Sequence, residues 1–171
     1  MKNWNNVDEL VKNLKADFKR NGIKATVRRE RAGWTPSLTI NINTTEDDFV
    51  AFEEFAKSYY PQCRYIYTED NKLMRYEDWC VMEDKDAKER IRQHNMKRSY
   101  NNFRQEHQQI NHYSVDNYKK ILSEDCITRI KKAVEICNGY NYDNSDTMTD
   151  YFDVGFYQHF ELRNKDLKEV A

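Results

Sequence analysis

The chain of 171 residues has little of what breaks, loosens or cross-links a backbone: two prolines, four glycines and four cysteines. With so few, there is no low-complexity linker, and no internal repeat is visible. Cys63, Cys80, Cys126 and Cys137 show no C-x-x-C pairing. Tetrahedral zinc needs clustered ligands, so no metal is expected. No run approaches the ~20 apolar residues of a membrane span. The opening Met1-Lys2-Asn3-Trp4-Asn5-Asn6 lacks the apolar core of a signal peptide. A cytosolic chain with reduced cysteines is therefore expected, with no membrane partner. Catalytic signatures are missing too. There is no G-x-S-x-G, Walker A or dinucleotide fingerprint, and His94, His107, His112 and His159 are scattered. Neither an enzyme nor a cofactor is expected.

What is present is charge, sorted into blocks beneath a net charge of −1. Residues 1–32 carry nine Lys and Arg against four Asp and Glu. Residues 33–43 carry none, and residues 44–84 carry four against eleven. Residues 85–132 carry twelve against six, and residues 133–171 carry three against eight. Separate basic and acidic regions are what a binding protein uses to steer and orient a charged partner. Only 39% of the chain is hydrophobic, 33% is charged, and the mean hydropathy is −1.05. Much of the apolar content is aromatic: twelve Tyr, eight Phe and three Trp. A chain of this length still hides roughly 70% of its unfolded surface, enough for one core.

Hydrophobic spacing predicts the elements. Val7, Leu10, Val11, Leu14 and Phe18 form one buried face of a helix over 7–20, ended by Asn21-Gly22. Period-2 alternation marks strands at 23–30 and 36–42, with Ile40 inward and Thr39 outward. Thr44-Thr45 and the acids after them open a helix over 46–59, which Pro61 ends. Residues 62–82 read as short strands around a turn at 69–71. Residues 84–112 read as a helical arm with a thin seam of Met96, Tyr100, Phe103, His107 and Ile110. Ser114 and Ser123 cap helices at 115–122 and 124–138, with Gly139 just past the second. The last strand falls at 153–162, and the charged tail 164–171 is expected to fray. The fold class is therefore α+β. A small, mainly antiparallel, three-stranded sheet (24–30, 36–42, 153–162) carries helices 7–20, 46–59 and 124–138 on one face.

Two basic groups are candidate partner-binding sites. Arg28, Arg29 and Arg31, beside Trp34, form a basic edge with an aromatic, suited to holding phosphates and stacking on a base, or else a solvated strand face. Arg90, Arg92, Lys97, Arg98 and Arg104 lie on the arm, where a helix polar nearly all round is solvent-bridging, docked on a partner, or weak on its own. Asp143, Asp146, Asp150 and Asp153 are close in sequence, yet they miss the calcium-loop pattern and read as turn formers.

Two stretches resemble a known family. Residues 10–42, a helix followed by "IKATVRRERAGWTPSLTINI", resemble the opening of a large polyvalent protein associated domain. In those domains an S-V-R-type strand precedes a small-residue turn and an alternating strand. Residues 142–160, "YDNSDTMTDYFDVGFYQHF", resemble the later segment of similar phage and plasmid proteins. The turn Arg31–Thr35 departs from the family's serine- and glycine-rich turn. The resemblance implies a mobile element of bacteria and a small protein in the style of anti-restriction and anti-CRISPR inhibitors. The expected partner is then a bacterial defence nuclease complex, through its protein or its guide RNA or DNA. An accessory protein binding nucleic acid directly is the alternative. A small metal-dependent enzyme acting on nucleic acid is the third reading.

Overall fold

Helix α1 (Val7–Arg20) forms where the apolar stripe falls, and Leu10, Leu14 and Phe18 are buried along it. Asn6 starts it by accepting the Glu9 N–H at 2.9 Å. Gly22 ends it at φ 70°, with Gly22 N–H donating to Lys19 and Ile23 N–H to Phe18. That paired closure needs a left-handed residue, which glycine supplies without a Cβ clash. The computed structural model describes residues 5–30, 35–61, 64–143 and 154–167. Arg31, Trp34, Cys63, Asp146, Asp150, Asp153 and the tail residues 168–171 lie outside the described residues.

The α+β class holds, built on a four-stranded mixed sheet and a separate two-stranded one. Strand β1 (Ala25–Glu30) runs antiparallel to β2 (Ser37–Asn43), with Val27 opposite Ile40. The expected three-stranded sheet has a fourth strand, and its central pair is parallel. β6 (Tyr157–Arg163) lies parallel to β2, with Phe160 opposite Ile40. β5 (His107–Ile110) pairs antiparallel with β6 on the far edge, giving the order β1-β2-β6-β5. Val27, Leu38, Ile40, Ile42, Ile110, Phe160 and Leu162 join one cluster with residues of α1 and of helix α5 (Glu124–Asn138). Ser123 caps α5 as expected, accepting the Cys126 N–H at 3.3 Å. Gly139 continues that helix at φ −64° and is not left-handed.

Three helical expectations are corrected. The helix over 46–59 is a 3-10 turn (Glu46–Asp48), an extended step and α2 (Phe52–Ser58). The step exists because Phe49 bridges to Leu122 and Val50 N–H donates to Ile121. In place of a helix at 115–122 there is a 3-10 helix, His112–Tyr118, capped by Asn111 and kinked at Ser114. The tail is anchored through residue 167. Asn164 is buried, donates to the Gln105 carbonyl at 2.7 Å and bonds Thr44, while Leu167 packs on the main core.

The 84–112 arm is also corrected. Its helix, α4, spans Lys85–Phe103, and the remainder turns back as β5. The first half of α4 meets a second, smaller cluster. There the hairpin of β3 (Tyr65–Tyr67) and β4 (Leu73–Arg75), followed by α3 (Tyr76–Cys80), contributes Ile66 and Trp79 to pack with Ile91. The second half puts Met96 and Tyr100 into the main core. On a helical wheel these two buried directions lie on different sides. The helix therefore shows no single apolar stripe and reads as polar all round. Asn95 fastens the hairpin to it, accepting the Tyr67 N–H at 2.9 Å and donating to the Tyr67 carbonyl at 2.7 Å. No helix among the described residues is long and apolar enough to cross a membrane.

Candidate interaction surfaces

Anchoring α4 on two sides leaves a third side facing solvent. Arg90, His94, Lys97 and Arg98 recur there at i, i+4, i+7 and i+8, so they share that face. Arg98 is held in place. Its guanidinium lies 3.9 Å from the centroid of the Tyr67 ring, and Nη1 is 3.4 Å from Asn71 Oδ1. His94 Nε2 reaches the same Asn71 oxygen at 3.2 Å. Arg90 pairs with Glu69 at 3.2 Å. Such exposed pairs contribute about 0–1 kcal/mol, so the arginine is readily given up to a partner. Lys97 is exposed and unpaired among the described residues. Arg92 is half-buried and takes both oxygens of Glu89 at 2.8 Å, which places it at the margin.

Arg104 leaves this set. Its side chain is 5% exposed, ion-paired with Glu46, and its guanidinium lies over the Phe49 and Tyr100 rings at 5.3 and 4.9 Å. The residue closes the main core and is largely withdrawn from solvent. The other basic group is divided. Arg28 and Arg29 are adjacent on β1 and so point to opposite faces of the sheet. Arg29 sits 4.0 Å from Asp8 on α1, while Arg28 is exposed beside Thr39 in the register. Arg31 and Trp34 lie outside the described residues, as do Asp146, Asp150 and Asp153. Among the described residues no three His, Cys, Asp or Glu side chains cluster as metal ligands would. Burial pushes the thiols of Cys126 and Cys137 up to about 11 and about 12, which keeps both protonated and unreactive at neutral pH.

The fold creates one site that spacing alone does not suggest. β5 stops at Ile110, opposite Phe160, and the chain turns away at Asn111. The start of β6 is left open on that side, and a pocket of about 510 Å³ opens there. His112 and His159, far apart in sequence, both line it. His112 lies between two rings, 4.0 Å from Tyr113 and 5.2 Å from Phe160 by centroids. Burial first, and His159 second, push its imidazole below the usual pKa. Folding therefore favours the neutral ring. Stability from this residue is present above the unfolded pKa of about 6.5 and is lost as pH falls below it. His112→Gln is expected to flatten the decline of melting temperature between about pH 7 and pH 5. A variant with the parent's slope would place that decline on other groups.

No family model matches the chain, and no curated protein or solved structure matches it either. What fold and surface define together is an α+β protein with a basic helix face and a separate pocket lined by no Asp, Glu, Lys or Arg.

Proposed function

We propose that this protein is a non-enzymatic inhibitor that docks on a bacterial nucleic-acid-guided or restriction nuclease and occludes it, serving a phage or plasmid. The observation that carries this reading is the cationic face of α4, where Arg90, His94, Lys97 and Arg98 line up on a helix clamped between two hydrophobic clusters. A clamped helix presents its charges in a fixed geometry, so little ordering is lost on binding. Arginines stacked or paired in this way suit bidentate contact with phosphate or carboxylate. Supporting the mobile-element setting is the resemblance of residues 10–42 and 142–160 to polyvalent protein associated domains.

The second reading is an accessory protein that binds nucleic acid directly, favoured by the same basic residues. Capture from a bacterial lysate with and without nuclease treatment separates the two when followed by fluorescence anisotropy on bare DNA and RNA. The inhibitor should retain a nuclease after treatment and bind bare strands weakly. The accessory binder should lose its catch. Its affinity for bare duplex should fall with salt by a log–log slope of about −0.9 for each phosphate contacted. Reversing Arg90, Lys97 and Arg98 to Glu should cut capture at least about tenfold, mainly through slower association, with the melting temperature nearly unchanged. Undiminished capture would remove the helix face from the function.

A further inference from the structure

The pocket at the open start of β6 has a composition unlike the rest of the molecule. One third of the chain is charged, yet none of the residues lining this pocket is Asp, Glu, Lys or Arg. Four are carboxamides: Gln108, Gln109, Asn111 and Gln158. Their bonding is incomplete. Asn111 uses its oxygen to accept the Tyr113 N–H at 3.0 Å, which leaves its amide nitrogen as a donor. Gln109 has neither amide atom bonded among the described residues, though its backbone carbonyl accepts from Gln108 at 2.8 Å. Gln158 donates to Asn138 at 2.9 Å and sits 3.4 Å from His112 Nε2, with its own oxygen buried and unpartnered. Above these lies Tyr113, 85% exposed, one ring face against His112 and the other open. That exposure leaves the ring face turned away from His112 available to a flat partner.

We propose that this pocket binds one unpaired nucleobase, stacked on the open face of Tyr113, with its edge bonded to the carboxamides of Gln109 and Asn111. A base is flat, uncharged at neutral pH, and carries donors and acceptors on a single edge. Aromatic rings accept bases of any kind, and carboxamides pair with base edges through one donor and one acceptor. A wall with no Lys or Arg offers a phosphate or carboxylate no permanent countercharge. The volume is in the range of small-ligand sites. This assignment does not depend on what α4 binds.

The test follows the imidazole NMR signals of His112 and His159. Adenosine, guanosine, cytidine and uridine are added one at a time, then a short single-stranded oligonucleotide and an abasic strand of equal length. At least one nucleoside should shift both signals saturably. Tyr113→Ala should weaken that binding about tenfold, and Tyr113→Trp should restore it. The Arg90, Lys97 and Arg98 reversal should leave nucleoside binding unchanged, which separates this site from the helix face. A strand that binds more tightly than the nucleoside, and loses the gain when abasic, identifies the source as a strand. Equal affinity identifies a free nucleoside or nucleotide. No saturable shift with any nucleoside or strand at about 10 mM would overturn the proposal. So would undiminished binding by Tyr113→Ala, or saturation by a neutral sugar or a glutamine amide when nucleosides give none.

Discussion

Ile40→Asp is expected to abolish the cooperative melting transition seen by circular dichroism. Ile40 is fully buried in the middle of β2, between Val27 on one neighbour and Phe160 on the other. Removing the side chain costs about 2–5 kcal/mol. An unpaired carboxylate in the same place adds several more, and domains are stable by only about 5–15 kcal/mol. Ile40→Val, which keeps the shape, should cost only about 0.5–1.5 kcal/mol. Alternation alone makes Thr39 the tolerant neighbour, and the structure corrects that. Thr39 is 5% exposed and bonds Glu30 across the strand pair. Thr39→Asp would set two carboxylates against each other, so it should also lower the melting temperature, though less than Ile40→Asp. A variant order reversed from this, with Ile40→Asp melting like the parent, would mean that β2 is out of register by one residue.

The second large effect is at Arg104. Arg104→Glu puts a carboxylate beside Glu46 and between the Phe49 and Tyr100 rings, in a place that is 5% exposed. Glu46 is 58% exposed, so the ion pair itself contributes little. The cost is that of an unpaired carboxylate in the buried place of Arg104, several kcal/mol, which in a chain of this size lowers the melting temperature by about 5–10 °C. Arg104→Met, which keeps much of the packing, should be milder. Arg98→Glu, six residues earlier on the same helix, is the contrast. It loses a ring contact of about 0.5–1 kcal/mol on an exposed face. If Arg104→Glu melts within about 2 °C of the parent, Arg104 belongs with the surface arginines after all.

The pair Arg98 and Arg104 shows how far residue types carry. Elements with one clear period and an end signal were legible: α1 from its stripe and Asn21-Gly22, α5 from Ser123, and the β1–β2 hairpin from its alternation. β5 was not. His107-Gln108-Gln109-Ile110 has a single apolar residue, and its strand form comes from pairing with β6, a partner far along the chain. α4 was legible as a helix but not as a clamp, because its two halves bury different sides and blur the period. Arg104 was misread because charge alone says surface, and nothing local names Glu46 and Phe49 as its neighbours. Of the proposed surface site, Arg90, Lys97 and Arg98 stand out in the basic run. The pocket was not, because His112 and His159 are joined by tertiary packing alone.

The parallel pairing of β2 with β6 has a consequence for how the protein is made. Thr44, just past β2, meets Asn164 across 120 positions of sequence. When β2 leaves the ribosome it has β1 on one side and a bare edge on the other, and that edge waits for the partner strand to be synthesised. Contacts of such long separation slow folding, and an uncovered strand edge is a template for other chains in the meantime. Ser37, Thr39 and Asn41 alternate with Leu38, Ile40 and Ile42 along β2 and are buried in the folded protein. While β2 waits, they keep one of its faces polar, and so less adhesive than an all-apolar strand would be.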